Sequence, residues 1–340
     1  MTKAPHRPAV ALRRSDKLLP RRTKHRYKNL RSELTYIGTL FLVSRLVLTI
    51  VGVVAHASLE TGYGKQFSWS KYPWLDIWGV WDSFWYMNIV QEGYSTASVI
   101  PGNAAQTNFP FFPMYPLLMK GLGTLMGGKY FLAGLVISNV CLLISGYLLY
   151  KLVESEQPDA AIAPQARETA RRSVKFFFLF PVSFILSGLF TESLYLCLTL
   201  LCFYWAKRHR WLAVGLTGAC LSATRTLGVL IILPMALEYL RSIDFKVFRI
   251  RREALYLMLI PAGLLCFCLY NYQVTGDFFY FKTNQAAWGR EILNPATVLI
   301  KALVEGVKTG DAKVLLELGF SLVGLIFRRC FTKELASPTG

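Results

Sequence analysis

VKFFFLFPVSFILSGLFTESLYLCLTLLCFYWA, residues 174–206, holds only two charges, Lys175 near its start and Glu192 near its middle. About 20 apolar residues cross the hydrocarbon core of a bilayer, so the run is too long for one crossing and slightly short for two. A carboxylate at the bilayer centre costs about 2.5–3.5 kcal/mol on insertion scales. Reading the run as a tight helical hairpin moves Glu192 to a turn near the membrane surface. The single-crossing alternative also places Lys207, Arg208 and Arg210 on the outer face, against the tendency of basic residues to stay cytoplasmic. Residues 211–240 repeat the pattern, with Arg225 near the middle.

Four further apolar windows, residues 34–56, 129–151, 254–272 and 314–327, bring the expected total to eight. Apolar residues make up 54% of the 340 and charged ones 17%, and mean hydropathy is +0.38; a large soluble core does not give such values. The sequence predicts an all-α, polytopic membrane protein with about eight transmembrane helices. Residues 1–33 form a basic cytoplasmic tail, 34–327 the transmembrane domain, 57–128 a long first extracytoplasmic loop, and 328–340 a second cytoplasmic tail. The first window is longer than the apolar region of a signal peptide and reads as a retained signal-anchor.

With the N-terminus inside, 27 of the 38 Lys and Arg fall on the cytoplasmic side. The net charge of +18 is then a topology signal and an attraction to anionic headgroups, with no nucleic-acid partner. Six of the seven Cys lie inside apolar windows, so neither a disulfide framework nor a metal cluster is implied. No internal repeat marks the symmetric halves of an inverted-repeat transporter.

Chemistry concentrates on the outer side. His6, His25 and His209 sit in basic segments and only His56 borders the outer loop, which points acid–base work to carboxylates. The first loop carries Trp69, Trp74, Trp78, Trp81 and Trp85. Trp78, Trp81, Trp85 and Ile89 recur at helical spacing, which predicts an interfacial helix with its aromatic face in lipid, ended by Gly93. Asp82, flanked by Trp81 and Phe84, would be partly desolvated there, which suits a general base; Asp76 and Glu92 compete for the role. Asn108-Phe-Pro-Phe-Phe-Pro-Met-Tyr-Pro116 reads as a stiff, extended aromatic wall. Arg45, Arg225 and Arg290 suit an anionic ligand such as phosphate, because a guanidinium matches phosphate oxygens. Arg225 could equally pair with Glu192 across the two hairpin turns, and both can hold at once.

The run Trp81-Asp82-Ser-Phe-Trp85-Tyr86 through Gly93-Tyr94, followed by Phe111-Phe112-Pro113-Met-Tyr115-Pro116-Leu, resembles the first-loop signature of the PIG-V family, the GPI mannosyltransferase II proteins and their prokaryotic relatives. Thr191-Glu192-Ser193-Leu194, Thr224-Arg225-Thr226-Leu227-Gly228, and Gly276-Asp277 with Gln285-Ala-Ala-Trp288-Gly289-Arg290 look like later motifs of that family in the same order.

The resemblance implies a GT-C glycosyltransferase whose site faces the lumen or periplasm. It further implies a polyprenyl-phosphate-mannose donor, a lipid-linked or GPI-type glycan acceptor, and inversion at the sugar carbon. Asp82 becomes the expected catalytic base and Glu192 a second or orienting carboxylate. Arg225 and Arg290 become the donor-phosphate ligands, with Trp81, Tyr86, Tyr115 and Trp288 as candidate walls. A divalent cation could share the phosphate charge, although no His or Asp cluster advertises a tight site. The expected location is the plasma membrane in a prokaryote and the endoplasmic reticulum in a eukaryote. The family pattern continues through further spans after Trp288-Gly-Arg290, so a partner subunit or downstream extension is expected to complete the donor groove. The alternative readings are a non-catalytic membrane carrier and an inactive partner subunit of a glycosyltransferase.

Overall fold

A computed structural model describes residues 19–58, 67–98, 106–156, 163–288, 294–312 and 314–324. Every regular element among them is helical: α1 (Leu19–Ser58), α2 (Pro73–Asp76), α3 (Ser83–Glu92), α4 (Met114–Leu125), α5 (Tyr130–Ser155), α6 (Ala163–Leu179), α7 (Glu192–Ala206), α8 (Trp211–Ser222), α9 (Ile232–Ser242), α10 (Ala262–Thr275), α11 (Tyr280–Thr283) and α12 (Pro295–Thr309). Short 3₁₀ segments join several of them. Residues 1–284 form one compact unit and 285–340 a second.

Among the described residues, three helices are long and apolar enough to cross a membrane: Leu30–Ser58 within α1, α5, and Arg252–Thr275, which runs from a 3₁₀ segment into α10. The other expected crossings fall on shorter pieces. Pro181 ends α6 after Leu179, and a break at residues 223–225 divides the next window. The resulting pieces are short. Helix α7, at 15 residues, spans about 22 Å and α8, at 12 residues, about 18 Å, against a hydrocarbon core of about 30 Å. The breaks themselves fall where charge predicted them: Glu192 opens α7 and Arg225 follows α8.

Helix α1 presents Leu42, Leu46, Val47, Ile50, Val51 and Val54 outward, the face a bilayer would cover. Its other side packs on α5 and α6 through Ile37, Leu142, Val174 and Phe178. At the end of α5, Lys151 Nζ bridges Glu33 (2.6 Å) and Glu154 (3.0 Å), so the basic end of α1 is tied to α5. Helix α8 meets the Arg252–Thr275 helix backbone to backbone: a methyl on Gly215 would run into the Tyr256 carbonyl, and one on Gly263 into the Ala219 carbonyl. Small residues at helix crossings are the usual device where lipid, rather than water, surrounds the pair.

Arg45 lies in the middle of the first crossing and is buried. Its guanidinium donates to the Ser183 carbonyl (2.8 Å), Ser187 Oγ (2.8 Å), Ser183 Oγ (2.7 Å) and the Phe178 carbonyl (3.3 Å). Pro181 has no amide hydrogen and breaks the i→i−4 ladder, and Arg45 satisfies oxygens around that break. It is a structural clamp and not the phosphate ligand expected.

The first loop also differs from expectation. In place of one interfacial helix, α2 and α3 are separated by residues 77–82, and Trp85 and Ile89 pack inward in the protein core. Gly79 allows the bend, since its Cα lies against Trp69 and Phe131 where no Cβ fits. Helix α3 does end at Gly93, whose φ of +83° favours glycine. The proline run is not extended: Phe111 N–H donates to the Asn108 carbonyl (3.2 Å) in a turn that leads directly into α4. Pro113 caps that helix and Pro116 lies in its first turn, where a missing amide hydrogen breaks no helical bond. Beyond α10 the chain forms α11 and α12.

Candidate functional site

Two backbone ties bring three distant segments together. Leu189 N–H, in the break before α7, donates to the Trp78 carbonyl (3.1 Å), and Ser83 Oγ lies 3.4 Å from the Leu189 carbonyl. Met114 N–H, at the start of α4, donates to the Ala223 carbonyl (3.1 Å), in the break after α8. Both helix breaks are thereby fastened to the first loop. Glu192 and Arg225 sit at those breaks, and Asp82 sits at the start of α3.

Arg225 Nη1 contacts Glu192 Oε1 at 2.6 Å and Thr191 Oγ1 at 3.3 Å. Tyr86 Oη, buried beneath, lies 3.5 Å from the same Thr191 hydroxyl. Burial alone would pull the Arg225 guanidinium down, but Glu192, and beyond it Tyr86 and Asp82, hold it above its ordinary value. Burial pushes the Tyr86 phenol well above its usual range; its bond to Thr191 opposes the rise and the Asp82 and Glu192 charges add to it. Asp82, Tyr86, Glu192 and Arg225 therefore act on one another electrostatically, although 143 positions separate the first from the last.

Asp82 itself is exposed, which corrects the expectation that Trp81 and Phe84 desolvate it. Trp81 has a φ of +48°, a strained left-handed conformation for a bulky residue. Its ring lies against Phe190 (centroids 6.2 Å, stacked) and Phe184 (6.1 Å). Asp76 is a poor competitor for the chemical role. It is buried, and Oδ1 accepts the amide hydrogens of Trp69 (2.7 Å) and Ser70 (2.9 Å), so it shapes the loop.

Tyr115 is corrected outright as a wall. It is 0% exposed, with its hydroxyl 3.0 Å from the Gly134 carbonyl and 2.7 Å from Ser138 Oγ. Together with Tyr86, which it meets edge to face at 5.3 Å, it supports the site from the core. Trp288 ends the 3₁₀ segment Asn284–Trp288; its side chain and all of Arg290 lie outside the described residues. Thr191 was missed as a site residue. Its signal is visible in retrospect: Thr191-Glu192 and Thr224-Arg225 pair a hydroxyl with a charge at the break of each long apolar window.

An apolar cavity of about 410 Å³ opens beside the Arg225 break, lined in part by Tyr94, Pro116, Leu117, Ala223, Phe267 and Tyr270. Lys120 supplies its one charged side chain. Among the described residues, no three His, Cys, Asp or Glu side chains converge as a cation cage.

No family model, no curated protein and no solved structure matches the chain.

Proposed function

We propose that the chain is a membrane glycosyltransferase of the GT-C type that transfers mannose, with inversion, from a polyprenyl phosphate to a lipid-linked or GPI-type glycan. The observation that supports this most is the meeting of Asp82, Glu192 and Arg225 at one place. A carboxylate beside an arginine fork, next to an apolar cavity and within helices that suit lipid, fits a donor that is sugar, phosphate and hydrocarbon in sequence.

In the proposed step Asp82 takes the proton from an acceptor hydroxyl as its oxygen attacks the anomeric carbon. The bond from that carbon to the phosphate oxygen breaks on the opposite face, and the electron pair leaves with polyprenyl phosphate. Arg225, oriented by Glu192 and Thr191, carries the charge developing on the phosphate. Exposure of Asp82 suits a base that must meet an incoming acceptor. The cavity beside Ala223 is assigned to the first isoprene units of the donor. Among the described residues the carboxylates make no cation cage, and Glu192 is held by Arg225. The membrane segments beyond the three long helices belong to this same reading: residues 174–190, α7, α8, residues 226–240 and Val314–Gly324 are its shorter crossings, eight in all.

The test supplies labelled polyprenyl-phosphate mannose to membranes containing the chain and follows the label. Label in a glycolipid fraction, absent from membranes without the chain, is the expected result. Binding of donor with no transfer to any lipid or glycan fraction would favour the carrier reading.

A further inference from the structure

A second cavity, of about 540 Å³, lies at the other end of α8, far along the chain from Asp82 and unused by the proposed transfer. Its floor is the buried pair Trp211 and Tyr239, whose rings meet edge to face at 4.9 Å. Its walls carry His209, Arg249, Arg251 and one carboxylate, Glu253. The segment that forms the wall is pinned from below, as Arg251 N–H donates to the Tyr239 hydroxyl at 2.9 Å.

That segment, Phe245-Lys-Val-Phe-Arg-Ile-Arg-Arg252, alternates basic and apolar side chains, and its apolar members are not buried. Phe248 is 80% exposed, Val247 69% and Ile250 51%. Water is a poor medium for such a surface. The pattern fits the level of lipid headgroups, where apolar groups enter the acyl region and cations face phosphates. Exposed Leu255 and Met258 continue the apolar surface from Ile250 into the Arg252–Thr275 crossing. The charge is also on the right side, because residues 207–210 and 241–252 belong to the basic face of the molecule.

We propose that this cavity is a phospholipid site: Arg249 and Arg251 hold the phosphate of one anionic phospholipid of the cytoplasmic leaflet, and its acyl chains lie along Ile250, Leu255 and Met258. Asp244 is 3.6 Å from Arg249 and 3.8 Å from Lys246, so Arg249 keeps an acidic neighbour on the solvent side. Glu253 is the single negative group on the wall against two arginines. This leaves a net positive site for one phosphodiester. The inference depends on the long helices crossing a membrane and is independent of any transferase activity.

The test uses the full chain in neutral maltoside micelles, with native mass spectrometry to count retained lipid and a thermal melt beside it. Three additives are compared: phosphatidylglycerol, a neutral diacyl glycolipid of equal chain length, and soluble glycerol phosphate. One retained phosphatidylglycerol and a raised midpoint are expected, with neither given by the other two. Arg249→Gln with Arg251→Gln should weaken retention on the order of ten-fold, while Arg172→Gln with Lys175→Gln, on α6, should not. Equal retention of the neutral lipid, equal stabilisation by glycerol phosphate, or equal loss in the α6 variant would each overturn the proposal. The additive comparison needs no variant, so a misfolded double mutant does not protect the idea.

Discussion

Arg225 and Glu192 are 45% and 35% exposed, and that exposure separates a structural role from a chemical one. A partly exposed ion pair contributes only about 0–1 kcal/mol to stability. Arg225→Gln should therefore leave the thermal midpoint nearly unchanged while transfer collapses, and Arg225→Lys, which keeps charge and loses the fork, should lose most of the transfer as well. Parallel melting and transfer assays decide this. A variant that unfolds, and that regains stability when combined with Glu192→Gln, would make the pair structural and move the phosphate site elsewhere. Residue identity alone made Asp82, Glu192 and Arg225 legible as candidates. It could not show that Tyr115 is buried against Ser138, because a tyrosine in an aromatic run looks the same in a core and in a wall. Nor could it show that Asp82 is exposed, since the hydrophobicity of sequence neighbours does not fix which way a carboxylate faces.

Breaks in helices are the elements that build the site, and Arg45 is what holds the first of them. Its guanidinium donates to oxygens on both sides of the break at Pro181, joining a network in which Ser183 Oγ donates to the Phe178 carbonyl and Ser187 Oγ to Asn139 Oδ1. Replacing it with leucine should cost about 1–3 kcal/mol from the lost charge-assisted bonds, and a drop in the unfolding midpoint in detergent checks it. An unchanged or raised midpoint would mean that the break is held by other contacts. The positions of both breaks were readable from charge in long apolar runs. Helix lengths were not, because hydropathy reports how apolar a window is and not where its hydrogen-bond ladder stops. The aromatic first loop was misread for a related reason: a 3.6-residue recurrence of Trp fits a lipid-facing helix and a core-facing one equally well.

At the scale of the whole molecule, three long apolar helices, a basic face and a cluster of charge at two helix breaks are mutually consistent. The orientation predicts that a reporter fused after Arg208 reads as cytoplasmic and one fused at Ala105 as external. An external reading after Arg208 would put the breaks on opposite faces from the first loop, against the contacts that tie Leu189 to Trp78 and Met114 to Ala223. The donor, the stereochemistry and the role of Asp82 are proposals, and the ties of both helix breaks to the first loop are what support a common place for them. The most direct measurement is transfer of labelled mannose from polyprenyl phosphate by the purified chain, comparing the native protein with Asp82→Asn. The account predicts a fall of roughly 10²–10⁴ in turnover with donor binding retained. Near-normal transfer by Asp82→Asn would contradict it.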